Sequence, residues 1–227
     1  MELTPCFHYF CTIQFCKRIQ SFVQKVQYQI QTNPKWKNNT YISPGSKRQR
    51  PMDLDTVGLG WINTVIFQLI IRPISRHLFT GTEIHGELDW RQGYVASYAP
   101  KTSKTSSNSR LVPHTDDSEV TLNLCLGDVF TGGNVQFSGL RGTDEEGAVL
   151  GEFEPIVGTA LLHAGRHLHE VTEVTSGNRF VLIVWARSWG GTRASSCPCC
   201  WLNRRISEDG DVAGDGRRGC IFAQKWN

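Results

Sequence analysis

The chain has 227 residues, with 24 Lys+Arg against 21 Asp+Glu and so a formal charge of +3 with histidine neutral. At 39% hydrophobic and 20% charged it has the make-up of a globular domain large enough to bury a core, which excludes a disordered or fibrous protein. So small a charge leaves no footprint for nucleic acid, and none is expected as a partner.

The opening MELTPCFHYFC lacks the basic-then-apolar order of a secretory signal. The eight cysteines (Cys6, Cys11, Cys16, Cys125, Cys197, Cys199, Cys200 and Cys220) are therefore expected to be reduced, and an intracellular location is favoured. Residues 1–50 read as an N-terminal appendage. In it, Ile19, Phe22, Val23, Val26 and Ile30 recur at helical spacing, so FCKRIQSFVQKVQYQIQ predicts one amphipathic helix. The following NPKWKNNTYISPGSKRQRP is a linker with five cations, which suits a solvated segment and, as the sharper alternative, a nuclear address.

Residues 51–91 predict supporting helices, with GLGWINTVIFQLIIRPISRHLF broken at Pro73. Its apolar stretch from Leu59 to Ile71 is interrupted by Asn63, Thr64 and Gln68, too short to cross a bilayer, so no membrane is expected. From residue 92 to 189 the period changes. GYVASY, EVTLNLCL, NVQFSGL, PIVGTALLH and RFVLIVWAR are short β-branched or alternating runs between turn-forming clusters. This predicts a mainly β core with helical support. The loop at 101–110 is polar, 143–154 reads as an acidic hairpin connection or loop, and 190–227 is a cysteine-containing tail, polar and Gly-rich from 203. No internal repeat is present, and no feature points to a particular oligomeric state.

The chemistry centres on His114-Thr115-Asp116, at the head of EVTLNLCL. Residues i and i+2 of an extended chain share a side, so His114 and Asp116 can grip one ion. An HxD alone is weak and needs a second imidazole, for which His163, His167 and His169 are the downstream candidates. Two histidines and one carboxylate leave three positions of an iron open, enough for a cosubstrate and oxygen together. If a dicarboxylate such as 2-oxoglutarate chelates that iron, its far carboxylate needs a cation. Arg179, at the start of RFVLIVWAR, can offer a two-pronged hydrogen-bonding fork that stays charged when buried.

The ordered set YVASYAP, HTDDSEVTLNL, TGGNVQF and GTALLHAGRHLHEVTEVTSGNRFVLIVWARS resembles the Fe(II)/2-oxoglutarate dioxygenases of the prolyl 4-hydroxylase alpha-subunit and procollagen lysyl hydroxylase type. Within that group it is most similar to the 2-oxoglutarate and iron-dependent oxygenase domain-containing proteins. The resemblance runs from about Gln92 to Trp189 and implies a double-stranded β-helix (jelly-roll) barrel. Carried over position by position, it implies His114, Asp116 and His169 as catalytic iron ligands and Arg179 on the distal carboxylate of 2-oxoglutarate. Tyr98 is placed near the same carboxylate, and Thr121 and Asn123 on the cavity side of their strand. The implied reaction turns 2-oxoglutarate and O2 into succinate and CO2 while hydroxylating a protein or peptide side chain, prolyl or lysyl, with ascorbate in support.

Plainer readings stand beside these. His163 suits a core or supporting role, and His167 competes with His169; the resemblance, in which the ligand stands ten residues before the basic residue, implies His169. HLHEVTE also fits a cupin-like trio of His167, His169 and Glu173, but no later histidine completes it. Asp117 reads as a solvated or structural acid. Cys197, Cys199 and Cys200 hold a CxxC without a second half, either a free cluster or a metal half-site. The rival to an enzyme is a non-catalytic binding or scaffold protein on the same fold.

Overall fold

The computed structural model describes residues 6–7, 10–33, 52–79, 87–101, 108–127, 129–140, 145, 147–191 and 193. The basic linker, residues 102–107 of the polar loop, and the tail with Cys197, Cys199, Cys200 and Cys220 lie outside them.

A six-stranded antiparallel sheet is built from β1 (Cys6–Phe7), β2 (Met52–Asp53), β3 (Trp90–Tyr98), β5 (Val120–Gly127), β9 (Ala160–Ala164) and β12 (Arg179–Arg187), in the order β1-β9-β5-β12-β3-β2. Opposite it, β4 (Leu111–His114), β7 (Val135–Leu140), β8 (Val149–Phe153) and β10 (His167–Val171) form a second sheet, ordered β4-β10-β7-β8. A ribbon of β6 (Phe130–Gly132) and β11 (Val174–Gly177) completes the barrel. This crossed strand order is the expected jelly roll, in which each long strand serves two faces.

Alternation along β12 shows how. Phe180, Leu182, Val184 and Ala186 point outward and are buried with Leu122, Leu124 and Leu126 of β5 against the helices. Val181, Ile183 and Trp185 point inward and pack with Tyr94 and Tyr98 of β3. Nine residues pair in unbroken register between β12 and β3, from Arg179 opposite Tyr98 to Arg187 opposite Trp90. Burial of each outward leucine contributes about 1.5–3 kcal/mol, so the helix-covered face anchors the barrel.

The predicted N-terminal helix is α1 (Ile13–Thr32), capped where the Thr12 hydroxyl accepts from the Phe15 N–H at 3.2 Å. It packs on β5 through Cys16, Ile19 and Val23, which belong to the main core cluster, so the segment read as an appendage covers the barrel. Phe22, expected on the apolar face, is 38% exposed.

Pro73 does not break the second helical region. The segment runs from α2 (Gly60–Ile66) through a π-helical turn (Phe67–Ile71) into α3 (Arg72–Leu78). The Arg72 N–H bonds the Phe67 carbonyl five residues back, and this wider turn makes room for the proline ring at the head of α3. The 143–154 segment also differs from a plain loop, since Val149–Phe153 forms edge strand β8 beside β7. Among the described residues, no helix is long and apolar enough to cross a membrane.

Candidate metal centre

Three elements bring the HxD and the second imidazole together. His114 ends β4, Asp116 begins the turn into β5, and His169 lies mid-β10 directly opposite His114 in the ladder. β4 is an edge strand, which is why Pro113 is tolerated beside the ligand position. One ligand atom from each of His114, Asp116 and His169 lies within 4.8 Å of the others. His114 Nε2 is 3.6 Å from Asp116 Oδ1, and His169 Nε2 is 3.7 Å from Asp116 Oδ2.

The tautomers follow from the backbone. Nδ1 of His114 is 2.9 Å from the Val112 carbonyl, and Nδ1 of His169 is 2.9 Å from the His167 carbonyl. A carbonyl oxygen only accepts, so each Nδ1 carries the proton and each Nε2 turns a lone pair towards Asp116. Burial pushes the His169 pKa down, Asp116 pulling the other way, which keeps the imidazole in its ligating form. Phe137 stacks on the His169 ring at 5.7 Å and fixes its plane.

The carboxylate is fixed as well. Thr121 Oγ1 donates to Asp116 Oδ2 at 2.7 Å, so Ser118 Oγ, 2.7 Å from Thr121 Oγ1, must donate to the threonine. The Asp116 N–H bonds the Gly165 carbonyl at 2.8 Å. Thr121 lines the cavity, but its single hydroxyl proton serves Asp116 and not a second anion. Ser118 had no signal in the sequence beyond its proximity to the HxD.

A cavity of about 470 Å³ runs from this cluster to Arg179 and Tyr98, with Asn123 between on its wall. Arg179 is 0% exposed, and its Nε and both terminal nitrogens have no hydrogen-bond partner. Its guanidinium carbon stands 5.4 Å from the Tyr98 ring centroid. Burial raises the Tyr98 pKa and keeps its phenol neutral; it lowers that of Arg179, but guanidinium is basic enough to stay a cation when buried. A buried cation without a partner fits an incoming carboxylate. Gln27 of α1, Tyr94 and Asn108 also line the cavity, and nothing in their local sequence distinguished them.

The competing histidines separate. His163 is buried against the cluster, with Nδ1 on the Ala164 carbonyl at 3.0 Å and Nε2 3.9 Å from Asp116 Oδ2, outside the group of three. Burial pushes its pKa down to about 3, so it is neutral. His167 pairs with Leu140, and a register shift in the β10–β7 ladder separates it from His169. Glu173 accepts from the Ser109 hydroxyl at 3.1 Å, so the cupin-like trio is not assembled. Asp117 is structural, bound to Arg187 at 2.9 Å and Arg193 at 2.8 Å. Cys11, Cys16 and Cys125 are free thiols.

Two imidazoles and one carboxylate on a jelly roll, set across a cavity from an unpaired arginine, have the arrangement that an iron- and 2-oxoglutarate-using oxygenase requires. Comparison with known proteins agrees. The chain is 32% identical over 181 residues to the 2-oxoglutarate and iron-dependent oxygenase domain-containing protein ICU11 of Arabidopsis thaliana, covering 77% of this chain and 43% of that protein. It is 31% identical over 207 residues to the 2-oxoglutarate and iron-dependent oxygenase domain-containing protein 2 of Homo sapiens, covering 90% and 54%. Over the segments they share, the chain is homologous to the 2-oxoglutarate and iron-dependent oxygenase domain-containing proteins. It spans about half the length of these curated relatives.

Among solved structures, it resembles a prolyl hydroxylase from Trichoplax adhaerens in complex with a hypoxia inducible factor oxygen degradation domain peptide fragment. The TM-score is 0.57 at 16% identity, over 86% of this chain and 88% of that one. A Pseudomonas putida prolyl-4-hydroxylase gives a TM-score of 0.50 at 16% identity, over 81% and 86%. At that identity these two show the shared fold. No family model matches the chain.

Proposed function

We propose that this chain is a non-haem Fe(II)- and 2-oxoglutarate-dependent dioxygenase that hydroxylates a prolyl or lysyl side chain of a protein or peptide. The observation that carries the reading is the pairing of the His114–Asp116–His169 cluster with the unpartnered Arg179 in one cavity. His114, Asp116 and His169 would hold the iron, with Arg179 and Tyr98 receiving the distal carboxylate of 2-oxoglutarate. Bound together, iron, 2-oxoglutarate and O2 supply the oxidising chemistry, releasing succinate and CO2 and placing one oxygen atom in a substrate C–H bond. Ascorbate fits as a supporting reductant.

The chain's own groups bind and orient. The Nδ1–H bonds hold both imidazoles with Nε2 inward, and Thr121 holds the Asp116 carboxylate at one rotamer. Arg179 sets the reach of the cosubstrate, and the inner wall of Tyr94, Val181 and Ile183 limits water. A peptide substrate fits the relatives in kind, since the Trichoplax adhaerens enzyme was solved with a peptide fragment. The functional unit proposed is centred on the barrel from residue 92 to 189, with helical support from 51 to 91 and from α1, whose Gln27 lines the cavity.

The test is an anaerobic titration with Fe(II) and then 2-oxoglutarate, following the visible charge-transfer band of the chelated cosubstrate. A saturable band that weakens in Arg179→Ala and His169→Ala is expected. No band from folded protein would overturn the reading in favour of a scaffold on the same fold.

A further inference from the structure

Behind the metal cluster, on the side away from Arg179, lies a group of charges that the proposed reaction does not use. Glu119 is 1% exposed, deep in the turn that carries Asp116 into β5. Its carboxylate accepts from Arg193 Nε at 2.8 and 3.1 Å and from the Ser188 N–H at 2.7 Å. The same arginine donates through a terminal nitrogen to Asp117 Oδ1 at 2.8 Å. Arg187, the last residue of β12, grips Asp117 from the other side, through Nε to its carbonyl at 2.6 Å and through a terminal nitrogen to Oδ2 at 2.9 Å. Trp90 lies under the Arg187 guanidinium at 4.1 Å and Trp189 under that of Arg193 at 5.1 Å, fixing both planes.

We propose that Arg193, with Arg187, is a positioning residue for the metal site: it clamps Asp117 and Glu119 and thereby holds the Asp116 carboxylate. This rests on the reading of His114, Asp116 and His169 as metal ligands. Asp116 is bonded directly to Asp117, and the turn has no regular ladder of its own between β4 and β5. Three main-chain bonds secure it, the Asp116 N–H to the Gly165 carbonyl at 2.8 Å, the Gly165 N–H to the Glu119 carbonyl at 3.0 Å and the Glu119 N–H to the Ala186 carbonyl at 3.0 Å. The arginines add the side-chain half. Each is planar and multidentate, so each fixes a direction and not only a charge.

Arg193 lies beyond β12, in the stretch read from sequence as tail. A barrel cut at residue 189 would leave the Glu119 carboxylate buried without its guanidinium. The metal-binding unit therefore extends at least to Arg193.

The experiment uses the full chain and Mn(II), an oxygen-stable stand-in for Fe(II), with free Mn(II) read by electron paramagnetic resonance. Arg193→Met is expected to weaken Mn(II) binding about tenfold or more. Once Mn(II) is saturating, its 2-oxoglutarate affinity should remain within about twofold of wild type, because Arg179 lies at the other end of the cavity. Arg193→Lys should recover part of the loss. General loosening of the fold would weaken both ligands together, so the split separates positioning from mere stability.

Should Arg193→Met fail to fold, Asp117→Asn decides, since Asp117 has a side chain 52% exposed and leaves the buried Arg193–Glu119 pair intact. It too should weaken Mn(II) binding. Folded variants that bind Mn(II) as wild type does would overturn the clamp. Wild-type protein that binds no Mn(II) would instead overturn the ligand reading, and the clamp with it.

Discussion

A guanidinium buried without a partner persists in a fold only where an anion comes to meet it. Arg179→Ala should therefore weaken 2-oxoglutarate binding to the Mn(II)-loaded protein by about 2–5 kcal/mol, roughly 30-fold at the least. Isothermal titration reads this directly, and unchanged affinity would place the cosubstrate elsewhere. His163 supports a different prediction. In the unfolded chain it takes up a proton near pH 6.5, whereas in the fold burial delays this to about 3. The unfolded state thus binds more protons across that window. Stability falls as pH drops from about 6.5 towards 3, by up to about 1.4 kcal/mol per pH unit. Metal-free His163→Leu should show a flatter dependence of unfolding free energy on pH in that range, measured by urea denaturation. A slope identical to wild type would clear the buried imidazole of that role. The cluster of His114, Asp116 and His169 was legible through the family resemblance, which also sets Arg179 ten positions after His169. Glu119 and Arg193 were not, because what they do is defined by partners about 70 residues away in the chain, and Ser118 was not, because its contact with Thr121 three residues on follows no motif.

β5 announces itself by alternation and β3 and β12 by short β-branched and aromatic runs, and β12 spans the predicted RFVLIVWAR run from Arg179 to Arg187. β4, β10 and β11 carry no such pattern. They are four or five residues long, polar or proline-containing, and held by the neighbouring strand more than by their own apolar content. The helices show the same limit. Local spacing finds α1 but cannot reveal that Cys16, Ile19 and Val23 seat it on β5, because β5 is buried on both faces and its alternation does not say which face a helix covers. The docking of α2 depends on a close approach that no periodicity displays. Asn63, 0% exposed, lies over Gly93 of β3 so tightly that a Cβ there would sit 1.8 Å from Asn63 Oδ1. Asn63 is itself held by Asp55, which accepts from Nδ2 at 3.0 Å. Gly93→Ala should then destabilise the protein by about 1–3 kcal/mol as α2 is pushed from the sheet. Loss of less than about 0.5 kcal/mol in chemical denaturation would mean that the asparagine moves aside freely.

The two sheets of the barrel meet at the metal cluster. His114 and His169 belong to the four-stranded sheet, whereas Asp116 stands at the entrance to β5 of the six-stranded one. Three ligand atoms converge there within 4.8 Å, among them a carboxylate facing two imidazole lone pairs that repel it until a cation intervenes. A bound divalent ion would therefore act as a cross-link between sheets as well as a reaction centre. Metal that binds the native state alone stabilises it by about 2.7 kcal/mol at a hundredfold excess over Kd. For a domain of this size that corresponds to a rise in Tm of roughly 5–10 °C. Thermal unfolding of wild type with Mn(II) should show that rise and lose it on addition of a chelator. Asp116→Ala should abolish it, since that substitution removes the one anionic ligand and severs the six-stranded sheet from the ion. Arg179→Ala should leave the metal-induced rise intact while removing the further rise produced by 2-oxoglutarate, because its guanidinium touches the cosubstrate end alone. An equal response in Asp116→Ala and wild type would show that the ion binds elsewhere, and that the two sheets are held together at this point by protein contacts alone.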